Sequence, residues 1–201
     1  MQRKEKIVFG IDEVGRGPLA GPVIAVAITV SRPTPRPQAE EWGGRVRDSK
    51  KLTPKQREDT YAFLKESPEV FWAVSRVGEK IIDKINILQA TKLAMEKAVL
   101  SLEKKIGKRA EMLLIDGNFG IELVRPQESI IKGDETVFLI SLASIVAKVE
   151  RDRLMQKMHK KYPQYGFDKH KGYGTKQHYR MIAQHGICQI HRKSFNLKLK
   201  K

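Results

Sequence analysis

The apolar positions of this chain fall into short continuous runs and helical stripes, separated by glycine, proline and charge. The first run, Ile7-Val8-Phe9-Gly10-Ile11, predicts a buried strand that delivers two adjacent carboxylates, Asp12 and Glu13. Four glycines between Gly10 and Gly21 let the backbone turn there, with amides free to donate. Val23 to Val30 predicts the returning strand. A proline-punctuated loop runs from Ser31 to Arg47, after which Thr53, Pro54 and Gln56 form a capping box that opens a helix with Tyr61, Phe63 and Leu64 on its apolar face. Val70 to Val77 reads as the third strand, and a helical region starts at Gly78. Asn86, with Gln89 three residues on, reads as a second N-cap. The stripe Leu88, Thr91, Ala94, Met95, Ala98 and Leu102 then recurs at helical spacing and is assigned to the core.

Glu111 to Asp116 predicts a fourth strand ending in an acid, followed by a glycine turn. Glu128 to Asp134 repeats that grammar: a short strand, a glycine and an acid. A long helix is predicted over 135–162, with Pro163 ending it. Beyond a glycine- and aromatic-rich loop, Thr175 caps a last helix that stops at Gly186. Strands first, then strands alternating with helices, argue an α/β mixed sheet with a leading antiparallel hairpin and a helical C-terminal extension.

A length of 201 residues suits one domain with a small appendage, and 40% hydrophobic residues suffice for a core. No apolar run is long enough to span a membrane, and the chain leads into its first strand without a signal-peptide h-region. The single cysteine, Cys188, allows no internal disulfide, so the cytoplasm is the expected compartment. Charge alters the picture most. The net charge is +16, and from Lys148 onward 15 Lys and Arg face 3 acids. All five histidines lie there too. A basic end on a near-balanced body is the footprint of a polyanion partner, nucleic acid above all, although a lysine-rich soluble surface has the same composition.

Asp12, Glu13, Asp116 and Asp134 each sit at or just past a predicted strand end. Strand ends of one sheet can converge, and four carboxylates in one pocket need a counter-charge. Hard divalent cations, Mg²⁺ or Mn²⁺, are the natural answer. Two such ions about 3.5–4 Å apart stabilise the attacking and leaving oxygens of a phosphoryl displacement. Solvated acids at a hairpin turn are the plainer alternative. Asp48, Asp83, Glu150 and Asp152 each lie beside Lys or Arg and are assigned to ion pairing or solvation. Cys188, His191, His185 and His178 match no closed zinc motif by spacing. Tyr173, between two glycines in a loop of Lys and His, either stacks on a sugar or base or packs the loop down.

These stretches together resemble the ribonuclease HII family, the type 2 ribonucleases H, over nearly the whole chain. The resemblance rests on seven ordered blocks: Gly10 to Val23, Asp48 to Leu52, Asp116-Gly-Asn118, Lys132-Gly-Asp134, Ala143 to Arg153, Tyr165 to Thr175, and His191 to Phe195. It implies a ribonuclease H-like sheet flanked by helices, with a catalytic core over 1–160 and a basic, helical, substrate-binding part over 161–201. The family's catalytic, metal-binding tetrad falls on Asp12, Glu13, Asp116 and Asp134. Its 2′-hydroxyl-reading turn falls on Gly15, Arg16 and Gly17, and its junction-sensing tyrosine on Tyr173. The implied activity is hydrolysis of RNA in RNA/DNA hybrids and cutting 5′ of single ribonucleotides in duplex DNA, leaving 5′-phosphate and 3′-hydroxyl ends. The neighbouring ribonuclease HIII family has an N-terminal extension and lacks the turn arginine. Arg16 and the early position of Asp12 therefore point to HII. A monomer is the expected state. A basic nucleic-acid binder without catalysis is the competing class, and four retained acids beside a polyanion argue against it. A DNA nuclease on the same sheet would leave the 2′-hydroxyl turn without a purpose.

Overall fold

A computed structural model describes residues 6–31 and 52–197. Most of the proline-rich loop, Asp48 to Lys51 and the last four residues of the basic tail lie outside the described residues. Five strands, β1 (Val8–Val14), β2 (Val23–Val30), β3 (Val70–Val77), β4 (Met112–Asp116) and β5 (Gln127–Ile130), form one sheet in the order β3-β2-β1-β4-β5. The pairs β1·β2 and β2·β3 are antiparallel, whereas β1·β4 and β4·β5 are parallel. The mixed α/β sheet with its leading hairpin is therefore as expected.

Helices cover both faces. The long α2 (Glu79–Ile106) follows α1 (Pro54–Glu66), and a single turn, α3 (Gly133–Thr136), precedes α4 (Phe138–Lys161). Two further helices, α5 (Phe167–His170) and α6 (Lys176–His185), belong to the C-terminal part. Alternation along β2 explains its unbroken apolar run. Val23, Ala25 and Ala27 pack with Ala94, Met95 and Ala98 of α2, whereas Val26 and Ile28 pack with Leu142, Ala143 and Val146 of α4. Gly10 permits the close approach of β1 and α4, since a Cβ there would lie 2.4 Å from the backbone carbon of Leu139.

The predicted caps form. Thr53 and Gln56 exchange the two capping-box hydrogen bonds, and Thr175 Oγ1 accepts from the His178 amide. Asn86 has φ 66° and kinks α2, its Oδ1 accepting from the amides of Leu88 and Gln89. Two expectations shift. Leu88 is exposed rather than core, because in the first turn after the kink Ile87 takes the inward position against the core. The helix expected from Glu135 starts at Phe138, because Val137 is extended (φ −115°, ψ 117°) and breaks off α3.

The C-terminal part packs onto the glycine turn that links β1 to β2. Leu19 and Ala20 share an apolar cluster with Met155, Tyr165, Phe167, Ile182 and Leu197. Ala20 forms a β-bridge with His191. Among the described residues, no helix is long and apolar enough to cross a membrane.

Candidate active site

The sheet itself brings the first acids together. Ile11 and Ile115 pair in register across the parallel β1 and β4, so the next residues, Asp12 and Asp116, lie side by side. Asp116 ends its strand as expected, whereas Asp12 and Glu13 lie within β1, which runs on to Val14 because both remain paired with Val26 and Ala25 of β2. Asp116 also pairs with Ile130 of β5. Lys132, in the left-handed region at φ 57°, then bends the chain into α3. This turn places Asp134 so that its amide donates to Asp116 Oδ1 at 3.4 Å. Glu13 follows Asp12 directly and donates its amide to Asp12 Oδ1 at 2.7 Å.

Burial sets the electrostatics of the cluster. Asp12 and Asp134 are 5% and 3% exposed. Burial, then the neighbouring charges of Glu13 and Asp116, hold the Asp12 carboxyl well above the usual carboxylate range, while the Ser144 hydroxyl donates to it and opposes the rise. Burial pushes Glu13 up to about 7 against the opposing charge of Arg16, whose Nη1 lies 3.5 Å from Glu13 Oε1. Among the described residues, Glu13 Oε2 is buried without a hydrogen-bond partner. A buried acceptor left unpaired costs about 1–3 kcal/mol, and a hard cation is one partner that satisfies it. An all-oxygen donor set and mutual repulsion of the acids fit a divalent ion in the same way. No group of three or more His, Cys, Asp or Glu among the described residues is already drawn to coordination spacing.

Beside the acids, the glycine turn is held from below by two buried arginines. Arg192 is 0% exposed and has no carboxylate in its hydrogen bonds. Its guanidinium donates to the carbonyls of Gly15 at 2.5 Å, Arg16 at 2.8 Å and Gly21 at 2.7 and 2.9 Å. Burial pushes its pKa down to about 10, with the Arg151 charge adding. Arg151, also 0% exposed, donates to the carbonyls of Ala20 and Lys171 and so bridges the turn to the tyrosine loop. Gly15 has φ +93°, and a Cβ there would lie 2.3 Å from Arg151 Nε, so the turn admits no side chain at that position. The Leu19 amide donates to the Gly172 carbonyl at 2.8 Å, which completes the stitching. Tyr173 consequently lies over the turn, its ring 3.6 Å from where a Gly17 Cβ would be.

All eight site residues expected from the sequence, Asp12, Glu13, Gly15, Arg16, Gly17, Asp116, Asp134 and Tyr173, line one open pocket of about 350 Å³. Ser144 and Lys148 line it too, one turn apart on α4, and sequence reasoning had given neither a role. The signal was their i,i+4 spacing in an Ala- and Val-rich helix segment facing the sheet. Lys148 is tied to Asp152 at 2.8 Å. Arg151 and Arg192 were also missed, because their partners are backbone carbonyls far away in sequence.

The remaining acids behave as ion-pair and anchoring groups. Glu150 pairs with Arg76 and accepts from the Tyr61 hydroxyl. Asp83 accepts from the amides of Lys193 and Ser194, which ties the C-terminal segment to α2. The Cys188 and histidine set forms no common metal centre. His191 meets Cys188 through Nδ1 and His178 through Nε2, on opposite edges of its ring.

Chemically, the pocket combines an anionic cluster able to hold divalent cations with a rigid backbone turn and an aromatic ring. Such a set can bind a sugar-phosphate chain and hydrolyse it. Comparison with known proteins agrees. The family model for ribonuclease HII matches residues 9–198. Ribonuclease HII of Pelodictyon phaeoclathratiforme is 49% identical over 193 residues, covering 96% of this chain and 90% of the relative. Among solved structures, the ribonuclease H2 of Pyrococcus horikoshii has a TM-score of 0.74 at 26% identity, covering 94% of each chain. The Bst ribonuclease HIII in complex with Mn²⁺ has a TM-score of 0.69 at 18% identity, covering 98% of this chain and 69% of that one, and shares the fold. On this match the chain belongs to the ribonuclease HII family of metal-dependent endoribonucleases.

Proposed function

We propose that this chain cleaves the RNA strand of RNA/DNA hybrids and incises duplex DNA 5′ of a single embedded ribonucleotide, leaving 5′-phosphate and 3′-hydroxyl ends. One observation carries this reading: the four carboxylates share a single pocket with the Gly15-Arg16-Gly17 turn and Tyr173. A nucleotide whose phosphate meets the acids therefore presents its sugar to the turn.

In this reading Asp12, Glu13, Asp116 and Asp134 are the ligands of Mg²⁺ or Mn²⁺, in a two-ion arrangement. Bound there, the ions would supply Lewis-acid stabilisation of the attacking and leaving oxygens. The chain's own groups do the rest. Arg192 and Arg151 fix the turn, so that its backbone groups meet the 2′-hydroxyl without first having to be ordered. The 2′-hydroxyl is the group that separates RNA from DNA. Tyr173 stacks at the RNA-to-DNA junction, and the basic C-terminal part grips backbone phosphate.

The test uses an RNA/DNA hybrid, a DNA duplex bearing one ribonucleotide and an all-DNA duplex, each with Mg²⁺, Mn²⁺ or EDTA. The expected result is metal-dependent cutting of the first two, with the control intact. Salt-sensitive binding without cleavage in either metal would instead establish a pure nucleic-acid binder.

A further inference from the structure

Tyr173 is flanked by Gly172 and Gly174, a backbone setting that costs much entropy to hold in one conformation. Yet its ring stands over the glycine turn, 44% exposed, while the backbone beneath it is tied down. The Tyr173 amide donates to the His170 carbonyl, and the Tyr173 carbonyl accepts from the Thr175 amide at 2.9 Å and from His178 Nδ1 at 2.9 Å.

The donor roles in this network follow from its chemistry. A carbonyl only accepts, so His178 Nδ1 carries the hydrogen and its Nε2 is bare. His178 Nε2 lies 3.1 Å from His191 Nε2, which must then be the donor. His191 Nδ1 is left bare and accepts from the Cys188 amide at 2.9 Å. Every ring nitrogen of the pair then has a partner with both rings neutral. A bare His191 Nδ1 also faces the Cys188 thiol, a donor at 3.1 Å, while its longer 3.3 Å approach to the Cys188 carbonyl carries no hydrogen. His178 is 0% and His191 2% exposed, and burial pushes His178 down to about 4, so neutrality holds at physiological pH. Phe167 packs edge-on against His178 at 5.4 Å and His170 stacks on it at 4.5 Å, which fixes the ring plane.

We infer that His178, oriented by His191, is a positioning residue for catalysis: its Nδ1–H fixes the Tyr173 carbonyl and thereby the stance of the tyrosine ring over the substrate pocket. This inference rests on the reading of Tyr173 as a substrate-contacting residue. No base, acid or metal role is assigned to either histidine.

The test compares Tyr173→Ala, His178→Phe and the double variant on a duplex with one ribonucleotide, under single-turnover conditions. His178→Phe keeps a flat ring between Phe167 and His170 and removes the donor. The expected result is a loss of about 10-fold or more in cleavage rate for His178→Phe. In the Tyr173→Ala background the same change should cost almost nothing, because the carbonyl remains but no ring is left to position. His178→Asn, whose amide nitrogen sits where Nδ1 was, should recover most of the wild-type rate. Losses that multiply in the double variant would overturn the inference and mark His178 as a general structural residue. A silent Tyr173→Ala would instead overturn the reading of Tyr173 itself. Should His178→Phe not fold, long-range ¹H–¹⁵N spectra of the wild-type protein decide. An Nδ1–H tautomer at His178 with Nε2–H at His191 supports the inference, and an Nε2–H tautomer at His178 contradicts it.

Discussion

Arg192 donates to the carbonyl of Gly15 at 2.5 Å, across 177 residues of sequence and with no solvent exposure. The end of the chain thus holds the turn that follows its first strand. A guanidinium suits this task because the donors of its planar fork, spread over three nitrogens, reach three carbonyls at once, where an ammonium carries all its donors on one nitrogen.

Arg192→Lys is therefore not a conservative change. It should leave at least one of the carbonyls of Gly15, Arg16 and Gly21 unpaired and cost about 2–4 kcal/mol in urea unfolding. Cleavage should fall further than stability alone explains, since the turn loosens. A variant within about 0.5 kcal/mol of wild type and equally active would remove Arg192 from the account.

Asp116→Asn should separate chemistry from folding. The like charge of Asp116 raises both Asp12 and Glu13, so neutralising it relieves repulsion and should raise metal-free stability by up to about 1 kcal/mol. Hybrid binding should persist while cleavage disappears. Retained cleavage would take Asp116 out of the mechanism.

Gly10→Ala tests the spacing of β1 and α4. The new Cβ would lie 2.4 Å from the backbone carbon of Leu139, which cannot swing aside as a side chain could. A destabilisation of about 3 kcal/mol is expected in denaturant unfolding, with activity falling because Asp12 rides on the same strand. An unperturbed midpoint would show that the helix and strand pack less closely than described.

Protonation of the buried histidine pair should weaken the fold in acid. His178 has a folded-state value of about 4 against 6.5 for the free group, so the unfolded chain binds more protons between these limits. Its contribution is intact above about pH 6.5 and is lost as pH falls toward 4, amounting to about 2–3 kcal/mol. The raised Asp12 and Glu13 carboxyls act in the opposite sense, favouring the fold at low pH and losing that effect as pH rises through their folded values. The clean quantity is the stability difference between wild type and His178→Asn from pH 4 to 7. It should move against the wild type as pH falls, and a constant difference would contradict the assignment.

Much of this arrangement was legible in the sequence. The acids are visible because hydrophobic runs stop abruptly at them, as at Ile11-Asp12 and Ile115-Asp116. Asp116 does end its strand, but β1 runs two residues past Asp12, because cross-strand pairing to β2 does not stop where hydrophobicity does. Both-face burial of β2 shows in its unbroken apolar run. The capping box at Thr53 and the N-caps at Asn86 and Thr175 are local hydrogen-bond chemistry and could be read locally; that Asn86 caps by kinking one continuous helix could not. What escaped is non-local. Arg151 and Arg192 look like surface charge in a basic segment, and only the folded chain shows the carbonyls that receive them. The start of α4 was placed too early because propensity does not reveal the extended break at Val137. The histidines read as a scattered basic tail until α6 and the 188–191 turn brought two of them face to face.

The central claim is that the glycine turn reads one 2′-hydroxyl for the neighbouring acids. The most direct measurement is the single-turnover rate on a DNA duplex bearing one ribonucleotide, against the same duplex with that hydroxyl replaced by hydrogen or by methoxy. A site built to pair a substrate hydroxyl rejects the analogue lacking it by roughly 10³-fold or more. The expected result is a single Mg²⁺-dependent cut 5′ of the ribonucleotide, with both analogues essentially uncut. Comparable cutting of all three duplexes would show that the turn does not select the sugar and would contradict the account.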